Sequence, residues 1–197
     1  MTASVMRSVR PVEGVDLPAA ERAVADLLVA LGADLADPQT RETPRRVAAA
    51  YAELLTAPEF CPTSFANEEA YDEMVVCRDI PFRSLCQHHL LPFCGVAHVG
   101  YLPGGRILGL SKLARVVETY AARLQVQERL TKQVADWVER ELHPQAVGVV
   151  VQAEHLCMSL RGVRAHGANT VTSALLGRLR DDPRSREEFF RLIEIGR

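Results

Sequence analysis

The sequence predicts an α+β protein, and three observations carry that expectation. Apolar residues recur at helical spacing from Pro18 to Leu55 and again from Ser111 to Leu142, the pattern of helices that bury one stripe. Runs of β-branched or alternating residues stand at Glu73–Ile80, Val96–Leu102, Ala146–Ala153 and Thr170–Leu176, as strands require. No internal repeat or low-complexity linker divides the 197 residues. They read as one folded unit with a short N-terminal appendage, since a chain of this length buries roughly 70% of its unfolded surface, enough for a single core.

In chain order, residues 1–15 are polar and aperiodic and are expected to form a flexible tail. The region 16–70 is expected to be mainly helical. Its first helix starts near Pro18, with Ala20, Val24, Leu27, Leu28 and Leu31 on one face and Gly32 at the C-terminal cap. Thr43-Pro44 marks a second start, because threonine can cap free amides and proline loses nothing in a first turn; Val47, Ala50, Tyr51, Leu54 and Leu55 form its stripe. Residues 56–70 read as a loop. Beyond the strand at Glu73–Ile80, Val96–Leu102 turns at Pro103-Gly104-Gly105 and returns as Arg106–Leu110, a hairpin or meander. Ser111 reads as the N-cap of a helix carrying Leu113, Val116, Val117, Tyr120 and Leu124, followed by a helix from about Gln127 to Leu142. After two more β-type runs, Ser185-Arg186-Glu187-Glu188 has the spacing of a capping box that opens a final helix.

Composition excludes several classes of function. With 23 Lys+Arg against 25 Asp+Glu the chain has no global basic field for duplex nucleic acid, so an anion site must be a local arginine cluster. No stretch approaches the ~18 apolar residues of a membrane span, and Met1–Glu13 lacks the apolar core of a signal peptide. The chain is expected in the cytoplasm, with neither nucleic acid nor membrane as a partner. Five cysteines, an odd number without a secretion signal, argue against a disulfide framework and towards metal binding or catalysis. Neither a P-loop nor a G-x-G-x-x-G motif is present.

The densest polar cluster is Cys86-Gln87-His88-His89, inside an otherwise apolar segment. Thiolate and imidazole are preferred zinc ligands, and a C-x-x-H step presents both from one turn. Much further on comes His155-Leu156-Cys157, where alternation puts His155 and Cys157 on one side of an extended strand end. Cys86, His89 and Cys157 give three ligands, the count of a catalytic zinc with an open position, and His88 and His155 are left for proton transfer. On composition alone a plainer account stays open: free cysteine is among the most buried residue types, and Cys86 fits a core position with polar neighbours. A Cys86–Cys157 disulfide in metal-free protein also stays open. Cys61, Cys77 and Cys94 lack ligand-spaced partners and read as core or loop.

Two further constellations have the same double character. Ser111-Lys112 at a helix start, Arg115 one turn on and Arg161-Gly162 could hold phosphate through free amides, the helix dipole and positive charge; a solvated basic face accounts for the same residues. Gln127-Glu128 could accept donors from a flat heterocycle, or simply cap a helix.

The blocks Arg41-Glu42-Thr43-Pro44-Arg45-Arg46-Val47-Ala48, Asp72-Glu73-Met74-Val75, Ser84 to Phe93, Gly109-Leu110-Ser111-Lys112, Arg123 to Thr131, Glu154-His155-Leu156-Cys157-Met158, Arg161-Gly162-Val163 and Thr170-Val171-Thr172-Ser173, in this order and spacing, resemble the GTP cyclohydrolase I family. The resemblance implies a tunnelling (T-) fold: an antiparallel four-stranded sheet with two helices packed on one face (ββααββ), preceded by N-terminal helices. It makes 71–197 the catalytic domain and implies assembly into a toroidal ring, a homodecamer with active sites between subunits. It assigns Cys86, His89 and Cys157 to Zn2+, His155 to acid/base catalysis, and His88 to a second active-site histidine. Gln127 and Glu128 fall at guanine-anchoring positions, and Ser111, Lys112, Arg115, Arg161 and Arg46 around the ribose and triphosphate.

The implied reaction takes GTP and water to 7,8-dihydroneopterin triphosphate and formate, the first step of folate and tetrahydropterin synthesis, with no redox or organic cofactor. A zinc-activated water adds to C8, His155 protonates N7, formate leaves after a second hydration, and an Amadori rearrangement assisted by Ser111 or His88 precedes closure of the pterin ring. Two positions depart from the family pattern: Gln87 replaces the usual Glu, and Ala165-His166-Gly167-Ala168-Asn169 replaces a Lys-Pro-Gly-Ser type of loop. Two alternatives remain beside this expectation, a specialised paralogue feeding 7-deazapurine or natural-product synthesis and a catalytically silent nucleotide-binding ring.

Overall fold

The computed structural model describes residues 4–5, 14–57, 59 and 61–194. The elements are β1 (Ser4–Val5), α1 (Leu17–Ala30), α2 (Thr43–Leu55), β2 (Thr63–Ala66), β3 (Val75–Cys86), β4 (Pro92–Leu102), β5 (Arg106–Leu108), α3 (Ser111–Ala121), β6 (Leu124–Gln125), α4 (Gln127–Leu142), β7 (Ala146–His155), α5 (Leu156–Ser159), β8 (Asn169–Gly177), α6 (Arg178–Asp181) and α7 (Pro183–Glu194). The main sheet has the order β6-β3-β4-β7-β8. Its four long strands are antiparallel to their neighbours, and only the two-residue β6 joins in parallel. The chain is therefore an α+β protein built on an antiparallel sheet.

Alternation along β7 explains how both faces of that sheet are covered. Val147, Val149, Val151 and Ala153 point into the core made with α3 and α4, where Leu113, Val116, Val117, Leu130, Val134, Trp137 and Val138 are buried. Ala146 and Val150 point the other way, into a smaller core with Met74, Leu102, Leu179, Phe189 and Ile193. Besides the two expected helices on one face, α7 thus closes part of the opposite face. Gly100 and Gly148 admit it: a Cβ there would stand 2.9 and 2.8 Å from the Phe189 ring.

Several local expectations are revised. The segment 56–70 is not all loop, because β2 pairs with β5 in a separate small sheet with β1. Arg106–Leu108 consequently does not fold back on β4 as a hairpin; the Leu108 amide instead donates to the Tyr101 hydroxyl at 2.9 Å. Ser111 lies inside α3, whose capping position is Leu110. Thr43 likewise lies inside α2, with Glu42 at the cap. The last helix starts earlier than Ser185: the Asp182 carboxylate accepts from the amides of Arg184 and Ser185 and from the Ser185 hydroxyl, which makes Asp182 the cap. The flexible tail expected over 1–15 lies mostly outside the described residues, and within it Ser4–Val5 pairs with β2.

Candidate metal centre

The first half of the centre is the turn between β3 and β4. The Cys86 amide donates to the Leu91 carbonyl at 2.9 Å, and the amides of Leu90 and His89 donate back to the Cys86 carbonyl at 2.8 and 3.2 Å. This winding places Leu90 at φ 57°, left-handed backbone that a branched side chain disfavours. Cys86 and His89 are thereby presented from one short loop. The loop is held from outside too, by the Tyr51 hydroxyl of α2 donating to the Leu90 carbonyl at 3.0 Å and by the Gln87 amide donating to the Gln125 carbonyl of β6 at 2.9 Å.

The second half is the end of β7. The β4–β7 ladder runs without a register shift from Leu102↔Ala146 to Phe93↔His155, and the Phe93 and His155 rings stack at 4.6 Å with 2° between their planes. Beyond His155 the chain does not stay extended as its alternation suggests. It winds into the single turn α5, so a helical step brings Cys157 to Cys86. One ligand atom each from Cys86, His89 and Cys157 lies within 4.8 Å of the others, and Cys86 Sγ to His89 Nδ1 is 3.7 Å. Ligand bonds of about 2.0–2.3 Å in a tetrahedron imply separations of about 3.5–3.8 Å between ligand atoms, so donor chemistry and spacing both fit zinc. Burial, and then the neighbouring Cys86, push the Cys157 thiol up; a divalent ion reverses that preference, because a coordinated thiol is deprotonated.

Beside the cluster, Gln127 and His155 settle each other's roles. Gln127 is only 1% exposed, and its Nε2 donates to the carbonyls of Val151 and Thr170 at 3.0 and 2.9 Å and to Thr172 Oγ1 at 3.2 Å. The amide orientation is fixed by those acceptors, leaving Oε1 to face His155 Nε2 at 2.7 Å. Nε2–H is then the donor and Nδ1 carries the lone pair. Burial holds the His155 pKa below its ordinary value, with the Glu128 charge opposing it, so the ring is neutral at neutral pH. Within the chain the Gln127 amide is engaged with Val151, Thr170, Thr172 and His155, and its Oε1 holds the His155 ring.

Glu128, the next residue, is exposed in the first turn of α4. It borders a cavity of about 470 Å³ shared with Thr131, Lys132 and Thr172. Gln87 Oε1 accepts from Arg129 at 2.8 Å, Gln87 Nε2 lies 3.4 Å from His88 Nε2, and Arg129 also donates to Gln125 Oε1 at 2.7 Å. Arg161 is exposed and close enough to Cys157 to favour its thiolate. Arg46 is exposed near the start of α2.

Ser111, Lys112 and Arg115 are not brought to the cluster within one chain. The Ser84 hydroxyl, two residues before Cys86, donates to Ala121 at the C-terminal end of α3, whereas Ser111 opens that 11-residue helix, about 16 Å away along its axis. Phe93, Thr172 and Tyr51 touch the centre's residues through the His155 stack, the Gln127 amide and the Leu90 carbonyl, contacts that sequence reasoning did not single out. The alternation of Thr170-Val171-Thr172 carried the only signal, placing Thr172 on the inward face.

An antiparallel sheet flanked by helices that presents two thiols and an imidazole together, with a histidine alongside, defines a class of proteins able to hold a metal ion. Family comparison narrows it: the family described as GTP cyclohydrolase I matches residues 20–194, and the chain belongs to that family. GTP cyclohydrolase 1 of Mycolicibacterium vanbaalenii is 54% identical over 185 residues, covering 90% of this chain and 91% of that protein. The protein of the same name from Thermobifida fusca is 52% identical over 190 residues, covering 93% and 91%. Among solved structures, the apo archaeosine synthase QueF-like protein aligns over 53% of this chain and 93% of its own, at 21% identity and TM-score 0.43.

Proposed function

We propose that this chain is a zinc-dependent GTP cyclohydrolase that opens the imidazole ring of the guanine in GTP, releases formate and yields 7,8-dihydroneopterin triphosphate, the entry to folate synthesis. The observation that carries the reading is the Cys86–His89–Cys157 cluster with His155 beside it, in a chain of this family. Zinc held by those three residues supplies Lewis acidity and acidifies water towards neutrality.

The protein's own residues do the rest. His155, neutral and tied at Nε2 to Gln127, takes a proton at Nδ1 from the water that adds to C8 and passes it to purine N7. Glu128 accepts from the ring NH and exocyclic amine of guanine; adenine would leave that carboxylate unpaired, which discriminates against ATP. His88 and Ser111 serve the later rearrangement of the ribose. Lys112, Arg115, Arg161 and Arg46 neutralise the triphosphate.

A tunnelling fold closed into a decameric ring follows from the same reading. Its support is that Ser111, Lys112 and Arg115 stand at the far end of α3 from the cluster, so a second copy is needed to complete a site. Exposed Leu110 (68%), Leu160 (64%) and Val163 (73%) give such a copy apolar surface to cover.

The test is mass-spectrometric product analysis of the zinc-loaded, reduced protein with GTP, with formate quantified alongside. Equimolar formate and dihydroneopterin triphosphate are expected. A formamide without formate limits the activity to ring opening, and unchanged GTP overturns the proposal.

A further inference from the structure

We infer that Tyr51 is a positioning residue for the metal: its hydroxyl clamps the β3–β4 turn in the form that presents Cys86 and His89 together. The inference rests on the metal reading above and names a device within it. Tyr51 is half-buried on α2 and belongs to the N-terminal helical pair, 39 positions from its acceptor. The acceptor is the carbonyl of Leu90, the residue that closes the turn at φ 57°. A leucine in left-handed backbone has a standing tendency to leave it. Leaving means rotating the Leu90 carbonyl and withdrawing the Leu90 and His89 amides from the Cys86 carbonyl, which lie at 2.8 and 3.2 Å. Those two hydrogen bonds set the separation of Cys86 from His89. The hydroxyl at 3.0 Å from the Leu90 carbonyl opposes the rotation from outside the loop.

The geometry also links the helical pair to the centre. Among the described residues, α2 also packs beside β3 and reaches it through a long ion pair, Glu53 to Arg83 at 3.6 Å between exposed side chains, which contributes little. Tyr51 is the hydrogen bond by which α2 reaches the ligand turn itself.

The experiment compares full-length wild type with Tyr51→Phe, which keeps the ring and removes only the hydroxyl. Zinc release to a chromophoric chelator is timed, and the thiolate-to-metal and d–d bands are recorded after cobalt(II) loading. Tyr51→Phe is expected to release zinc about 3- to 10-fold faster and to shift the cobalt bands, the size of effect one supporting hydrogen bond on a ligand turn has. Adding Leu90→Gly should recover part of the loss, because glycine adopts φ near +57° without strain; a merely structural defect in α2 packing would not respond to that change. Release at the wild-type rate with unchanged cobalt bands overturns the inference and leaves the metal reading intact. Faster release that Leu90→Gly fails to slow also overturns it. A wild-type protein that takes up neither zinc nor cobalt overturns the metal reading, and the clamp with it.

Discussion

In the proposed site, the floor and the rim are built on opposite principles. On the floor, Gln127 and Phe93 are buried, and every polar atom of the Gln127 amide has a partner within the chain. The residues proposed for the rim of the completed site are open: Ser111, Arg115, Arg161 and Arg46 are exposed and Lys112 is only partly covered. None of the four cations forms an ion pair among the described residues. A group whose orientation decides where a proton goes must be held before the substrate arrives, whereas a group that neutralises phosphate does its work only once the phosphate is there. Preorganisation is concentrated where chemistry is to happen, and adaptability where charge is to be met.

Substitutions can break or sharpen that contrast. The largest effect is expected from Cys157→Ala, which removes a metal ligand: metal content should fall to background and turnover by about 10³-fold or more, checked by elemental analysis beside product assay. His155→Ala should retain metal and lower kcat by about 10²- to 10⁴-fold. Gln127→Ala should lower kcat by about 10- to 100-fold with little change in KM. Combined with His155→Ala it should cost almost nothing more, because the two act as one unit; additive losses would separate them. On the rim, Lys112→Ala or Arg115→Ala should raise KM for GTP about 10-fold and leave kcat within about twofold, an effect that shrinks at high salt. A fall in kcat instead would place these residues on the floor.

The smallest effect lies outside both regions. The Ser185 hydroxyl and the amides of Arg184 and Ser185 hold the Asp182 carboxyl below its ordinary value of 3.8. Its charged form therefore stabilises the fold above that value, and the contribution is lost as pH falls through the lower folded-state value. Asp182→Ala should lower the melting temperature at neutral pH, leave activity unchanged, and converge with wild type in acid.

What the sequence disclosed follows the range of the interactions involved. Cys86 and His89 were legible because ligand chemistry and one turn sit within four residues. The helix from Gln127 to Leu142 was legible to the residue, because its apolar stripe is continuous. The hold of Gln127 on His155 was not legible, because its partners, Val151, Thr170, Thr172 and His155, lie 24 to 45 positions away, and no local pattern announces them. The winding at Cys157 was missed for the converse reason: two residues fit a strand end and a helical turn equally well. β2 was hidden by prolines that read as loop and by a partner, β5, far along the chain. Tyr51 looked like one more member of an apolar stripe.

The unshifted β4–β7 ladder also orders events in time. Cys157 leaves the ribosome 71 residues after Cys86, a delay of roughly 4 to 14 s at ordinary rates of synthesis. During that interval the nascent chain carries a lone Cys–His pair that can grip an ion only loosely. Each two-residue slip of one strand past the other would keep the faces correct yet carry His155 and Cys157 about 7 Å from their places. The Cys86, His89 and Cys157 ligand atoms therefore converge only in the register in which Phe93 lies opposite His155.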